Sequence, residues 1–384
     1  MAGLYLHIPF CKQACHYCNF HFATSLRYKP ELVQAMVKEI EMQKAYLESE
    51  PLSTIYFGGG TPSLLSTEEL KSLIDTIYKY NIVLDDAEIT LEANPDNISE
   101  EQLLAWENAG VNRLSIGVQS FFEEDLKWMN RAHNSKQAIE CIELATKHFD
   151  NITIDLIYGT PGLTDEKWKM NVDKAISLGV EHLSCYALTV ESHTPLDKLI
   201  REEKREEVDS NQQANQFLLL MKWMKEAGFR HYEISNFAKP GKESKHNSSY
   251  WQGERYLGIG PAAHSFNGIS RQWNIANNQR YISSINEGKI PSEIETLTPI
   301  QVLNEYIMTA LRTDQGIDLT ALNNKWEIAT EKGENPLELL SIKSFELIAD
   351  SYVKSGHLIN TSTNLVLTTE GKLLADGIAS DLFF

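Results

Sequence analysis

The sequence lacks any run of about 18 apolar residues, so no membrane-spanning helix is expected. Its opening, MAGLYLHIPF, is too short and too uncharged for a secretory signal, and Cys11 follows at once. Cysteine is scarce: five among 384 residues, an odd number that does not suit a disulfide framework. A cytoplasmic protein in a reducing compartment is expected. An excess of basic charge is also missing. Thirty-five Lys and Arg stand against 53 Asp and Glu, a formal net charge of -18. Such a chain repels polyanions at long range, so no nucleic-acid partner is expected. The most basic run, KLIREEKR (198–205), is diluted with glutamates and reads as solvated helix surface. No low-complexity segment interrupts the chain.

What is present is ordinary in bulk: 42% hydrophobic and 23% charged residues. That composition supports a sizeable core, in two or so domains or in one large barrel with an appendage. Over the first 235 residues, β-branched runs alternate with segments of helical period. The strand candidates are LYLHI, TIYFGGG, AEITLEANP, NRLSIGVQS, ITIDLIYGTP and EHLSCYALTVE. Between them lie helix candidates, such as 30–47 with Pro30 in its first turn, and STEELKSLIDTIYKY behind a capping signal at Ser66 or Thr67. RHYEIS is a candidate for one more strand. Strand–helix units near 30 residues apart imply parallel strands joined by crossover helices. Each strand ends in chemically loaded residues (PFC, GGGTP, EANP, GVQS, YGTP), which favours a barrel with one active mouth.

Residues 236–297 are rich in Gly, Asn, Ser and aromatics and read as an ordered irregular connection. Residues 298–384 read as helices followed by a hairpin and a short helix, a winged-helix-like α+β module. Such modules often bind DNA, but residues 301–384 hold twelve acids against six Lys and Arg, so packing or a lid role is expected instead.

Three of the five cysteines fall within eight positions, in FCKQACHYCNF: Cys11, Cys15 and Cys18. Three thiolates at this spacing can hold three irons of a cubane cluster and leave the fourth iron open to a ligand. The alternative is a zinc knuckle completed by His7, His16 or His21, since structural zinc takes four closed ligands. Cys141 and Cys185 are expected to be buried small hydrophobes.

CKQACHYC after a first strand, with GGGTP after the second, resembles the radical S-adenosylmethionine (SAM) enzymes. YLHIPFC, GGGTPS, LEANPD, LSIGVQSF, NRAH and DLIYGTP resemble, in order, the coproporphyrinogen-dehydrogenase-like HemN/HemW group over nearly the whole chain. The resemblance implies a partial (β/α)6 TIM-type barrel and a 4Fe–4S cluster on Cys11, Cys15 and Cys18. It implies SAM at Tyr5, Tyr17, Gly58, Gly59, Gly60, Thr61, Glu92, Gln119, Arg131, Asp155 and Ala187. Arg131 would pair with the SAM carboxylate, Asp155 and Gln119 would meet the ribose, and Glu92 the amino or sulfonium end.

Oxidases of this group carry a further cysteine where this chain has Phe20, and an N-terminal extension where it begins at its first strand. The HemW branch, of heme chaperones, carries His-Asn-x-x-Tyr-Trp, matched by HNSSYW: His246, Asn247, Tyr250 and Trp251. The resemblance makes these four the candidate heme contacts, with His264 a second candidate. A flavodoxin or ferredoxin would supply electrons, a heme-acceptor protein would receive the cargo, and any membrane contact would run through that acceptor. Three readings follow: a heme-binding chaperone with a SAM-bound cluster, an oxygen-independent coproporphyrinogen III oxidase, and a zinc-binding structural protein with a nucleic-acid-binding wing.

Overall fold

The computed structural model describes residues 1–331 and 342–384. The six expected strands form, as β1 (Ala2–Ile8), β2 (Leu52–Gly59), β3 (Val83–Ala93), β4 (Arg113–Gln119), β5 (Ile152–Tyr158) and β6 (His182–Ala187). They pair in parallel, each with the next in chain order. β1 is buried at every position except half-buried Tyr5, as a strand covered on both faces requires.

The crossovers are α1 (Lys29–Met42), α2 (Thr67–Tyr80), α3 (Glu100–Asn108), α4 (Glu123–Trp128), α5 (Ser135–Ala145) and α6 (Asp165–Ser177). Then come α7 (Pro195–Arg201) and α8 (Ser210–Glu226). Local chemistry sets their ends. Ser66 and Glu69 close a capping box on α2, and Ser99 and Asp209 cap α3 and α8. Pro30 sits in the first turn of α1. Leu32, Met36, Leu73, Trp106 and Trp168 pack their helices into one core that runs along the sheet. Cys141 and Cys185 are buried in it as expected.

Beyond β6 the chain holds more strands than the sequence reading foresaw. RHYEIS becomes β7 (Arg230–Glu233), and β8 (Asn236–Ala238) inserts antiparallel between it and β6. The segment 236–297, expected to be irregular, holds β8 and then α9 (Lys245–Trp251), β9 (Arg255–Ile259), β10 (His264–Phe266), β11 (Ser270–Asn274), α10 (Asn278–Asn286) and β12 (Ser292–Thr296). β9 pairs in parallel with β1, and β10 to β12 continue antiparallel from it. Among the described residues this makes one twelve-stranded sheet, in which β1 adjoins β9 and β6 adjoins β8, so β1 and β6 do not close on each other.

The C-terminal part follows its pattern: α11 (Pro299–Leu311), β13 (Ile317–Asp318), α12 (Leu319–Glu331) and α13 (Ile342–Lys354). A hairpin of β14 (Leu358–Asn360) and β15 (Asn364–Leu367) and helix α14 (Ala375–Asp381) complete it. Its strands form a small antiparallel sheet, ordered β13-β15-β14, over a separate core around Leu303, Ile307, Phe345 and Leu365. Among the described residues no helix is long and apolar enough to cross a membrane.

Candidate functional site

The cysteine loop is pinned at its stem. Cys11 N–H donates to the Ala23 carbonyl at 3.0 Å, and Ala23 N–H to the Pro9 carbonyl at 2.9 Å. Two glycines at the end of β2 let that stem lie close. A Cβ on Gly60 would stand 2.6 Å from the Ile8 carbonyl oxygen, and Gly59 takes φ +98 against the His7 ring. His7 braces the turn. Its Nε2–H donates to the His21 carbonyl at 2.9 Å, so its Nδ1 accepts from the Tyr5 hydroxyl at 3.0 Å.

The far side of the loop is stapled by the NRAH segment. Asn130, at φ +59, donates from its amide to the Ala14 carbonyl at 2.7 Å and receives Gln13 at 3.0 Å. Arg131 reaches Cys15 Sγ at 3.2 Å, the Gly117 carbonyl at 2.6 Å and Asn94 Oδ1 at 2.8 Å. Asn94 in turn donates to Thr61 at 3.2 Å. His133 donates to the Val118 carbonyl at 3.0 Å. Asn130, Asn94 and Gln13 carry the loop, and the sequence reading missed them. They appeared only as letters inside the quoted motifs NRAH, EANP and CKQACHYC.

All three loop cysteines line one cavity of about 400 Å³. Every strand from β2 to β6 delivers a side chain or backbone edge there: Gly59, Gly60 and Thr61; Glu92; Gln119; Asp155; Ala187. Arg131 and Tyr17 join them. Ser115, Gly117, Asn94 and Tyr186 line it too and were not foreseen. Two expected SAM contacts lie outside. Gly58 is walled in by the Tyr56, Glu92 and Tyr5 side chains, and Tyr5 faces a second cavity.

The charges are tuned by burial. Glu92, which accepts from the Tyr56 hydroxyl at 2.7 Å, is pushed up to about 7, chiefly by desolvation. Asp155 is pushed up to about 6 by desolvation, tempered by Ser184, Arg131 and Arg113. Burial also pushes the Cys11 thiol up to about 11. Gln119 holds φ +68, an uncommon backbone for a residue with a Cβ and a mark of strain at a site.

The donor set suits an iron–sulfur cluster with a ligand on its open corner. Soft sulfur donors face a cavity shared with the Arg131 guanidinium, which touches Cys15 and keeps an unpartnered Nε. Among the described residues no group of three or more His, Cys, Asp or Glu is arranged around a single ion. A cubane does not ask for that, since each cysteine takes its own iron. The histidines of the zinc alternative are engaged elsewhere. His7 is bound as above, His16 Nδ1 meets the Trp128 carbonyl at 3.2 Å, and His21 Nε2 meets Asn278 at 2.7 Å.

HNSSYW lies on α9. The Glu88 carboxylate receives the Lys245 and His246 backbone N–H groups, both at 3.1 Å, at the start of that helix. Buried Arg113 flanks the same carboxylate at 3.7 Å. His246 is itself 1% exposed. Its Nδ1 pairs with Thr54 Oγ1 and its Nε2 with the Tyr250 hydroxyl, both at 2.8 Å, and its ring stacks 4.8 Å from Tyr56. Desolvation lowers it to about 3, so the imidazole is neutral. Asn247 lines neither cavity, whereas Tyr250, Trp251 and His264 line the second one, of about 940 Å³. Asn19 and Phe20 border both cavities.

A family model described as "Radical SAM superfamily" matches residues 5–175. The protein named heme chaperone HemW in Bacillus subtilis is 36% identical over 382 residues, covering 98% of this chain and 98% of that one. Its namesake in Mycobacterium tuberculosis is 33% identical over 386 residues, covering 99% and 94%. The solved structure of coproporphyrinogen III oxidase (HemN) from Escherichia coli superposes with a TM-score of 0.83, over 100% of this chain and 90% of that one, at 22% identity.

Proposed function

The chain belongs to the HemW branch of the radical SAM superfamily, and from that premise we propose that it is a heme chaperone. In this reading it holds a 4Fe–4S cluster and SAM, carries heme, and passes heme to an acceptor protein. We read its six parallel strands as a partial (β/α)6 barrel and its C-terminal part as winged-helix-like, with divisions near residues 235 and 297.

Cys11, Cys15 and Cys18 hold the cluster. The cluster's chemistry, when present, is one-electron transfer, for which a flavodoxin or ferredoxin supplies the electron. Arg131, whose Nη groups hold Cys15, Asn94 and the Gly117 carbonyl, offers the SAM carboxylate its unpartnered Nε–H. Gly59, Gly60 and Thr61 allow a close backbone approach, and Gln119 and Asp155 take the ribose hydroxyls. Glu92, kept protonated toward neutral pH, can donate as well as accept. Tyr17 and Ala187 close the cavity around the adenine. Tyr5 acts through His7, which braces the glycine turn, rather than by touching the ligand.

The observation that carries the cofactor reading is the single cavity shared by three thiols and the polar ends of successive strands. Phe20, 65% exposed on the rim, offers no thiol where the oxidases of the group have one, so chaperoning is favoured over porphyrin turnover. An anaerobic titration of the cluster-loaded chain with heme, beside a coproporphyrinogen oxidase assay, tests it. Heme binding without oxidase turnover is expected. Turnover without heme binding would overturn it.

A further inference from the structure

The heme reading leaves open where heme sits, and His246 offers iron no free nitrogen. Both its ring nitrogens are bound within the chain, and its ring lines neither cavity. The second cavity has what His246 lacks. At about 940 Å³ it lies near the top of the usual range for cofactor pockets, roughly 300–1,000 Å³. Phe20, Tyr250, Trp251, Tyr256, Phe266 and Tyr306 give it the aromatic walls that suit a flat macrocycle.

Three histidines line it. His7 has both nitrogens engaged, by Tyr5 and the His21 carbonyl, and His21 gives Nε2 to Asn278. His264 stands exposed on β10, its ring stacked 6.2 Å from Trp273, and among the described residues neither nitrogen has a hydrogen-bond partner. Partial burial and the nearby Arg271 charge lower it below the usual histidine range, which keeps a lone pair free for iron. Two cations also face the cavity. Arg271 is spent on Glu305 through bonds of 2.9 and 2.8 Å. Lys325 lies 5.4 Å from the Tyr306 ring centre and has no carboxylate partner among the described residues.

We propose that heme sits in this second cavity, between the cysteine loop and helices α11 and α12, with His264 as an iron ligand and Lys325 facing a propionate. The seat rests on the heme-chaperone reading and gives it a place. It also sets the macrocycle beside Asn19 and Phe20, which border the cluster cavity directly after Cys18. In this arrangement HNSSYW acts through its last two residues: His246 fixes Tyr250 from behind, and Tyr250 and Trp251 form the wall.

The test is a heme titration of the full, cluster-loaded chain by absorption spectroscopy, with His264→Gly and Lys325→Ala beside the native sequence. His264→Gly is expected to lose the imidazole-ligated spectrum and weaken binding at least tenfold, and added imidazole is expected to restore the spectrum. Lys325→Ala is expected to weaken binding several-fold without changing the spectrum. Native spectra and affinities in both variants would overturn the seat and leave the chaperone reading standing. A native chain that takes up no heme would overturn both. His264 is exposed, so its replacement spares the core, and circular dichroism checks this.

Discussion

Arg131 Nη1 stands 3.2 Å from Cys15 Sγ, while Nη2 of the same guanidinium holds Asn94 and the Gly117 carbonyl. One half-buried cation thus joins the cysteine loop to the ends of β3 and β4, at the cavity proposed for SAM. Arg131→Ala is expected to spare the cluster and weaken SAM binding ten- to a hundredfold, since a charge-assisted hydrogen bond contributes about 1.5–3 kcal/mol. Arg131→Lys should recover part of the loss, because an ammonium lacks the planar fork. Calorimetric titration with SAM reads both. An unchanged affinity in the alanine variant would remove Arg131 from the ligand set.

Serine at Cys11, Cys15 or Cys18 should each abolish the 4Fe–4S cluster. Cys141→Ser and Cys185→Ser should keep it, because both thiols are buried in the core away from the cavity. Iron and sulfide analysis after anaerobic reconstitution decides this. A full cluster in Cys15→Ser would contradict the assignment.

Glu92 and Asp155 are raised to about 7 and about 6, above the ordinary carboxyl range near 4. The fold therefore binds their protons more tightly than the unfolded chain does. Their protonation stabilises the fold at low pH, and stability falls as pH rises from about 4 through about 7. In thermal melts of the SAM-free chain, Glu92→Gln and Asp155→Asn should gain on the native sequence as pH rises across that window. Melting curves that stay parallel across it would rule out the buried carboxylates as the cause.

His246 ties β2 to α9 through Thr54 and closes on Tyr250. Its removal leaves the buried Thr54 hydroxyl without its partner, at a cost of about 1–3 kcal/mol. His246→Ala should lower the melting temperature and loosen the wall at Tyr250, while the ligand band of bound heme stays native. A native melting temperature combined with a lost ligand band would make His246 the iron ligand instead.

The six parallel strands were legible because each is a short, mostly buried apolar run between helical segments, a pattern that survives without knowing its neighbours. The strands β8 to β12 were not. Each has three to five residues, and β12 is mostly exposed. Their pairing is set by contact with β1 and β6, not by their own composition. Within the site, the cysteines and the glycine turn carried their own spacing. Asn130 and Asn94 showed only as letters in motifs, since their partners lie more than thirty positions away. The same limit hid His246: its partner Thr54 is 192 positions distant, and no local pattern reports that both ring nitrogens are taken.

In the proposed reading, three cysteines hold an iron–sulfur cluster whose fourth iron is open to SAM. Electron paramagnetic resonance of the reduced, anaerobically reconstituted chain, recorded with and without SAM, tests it most directly. A 4Fe–4S signal that shifts when SAM is added is the expected result. A signal indifferent to SAM, or zinc in place of iron, would contradict it.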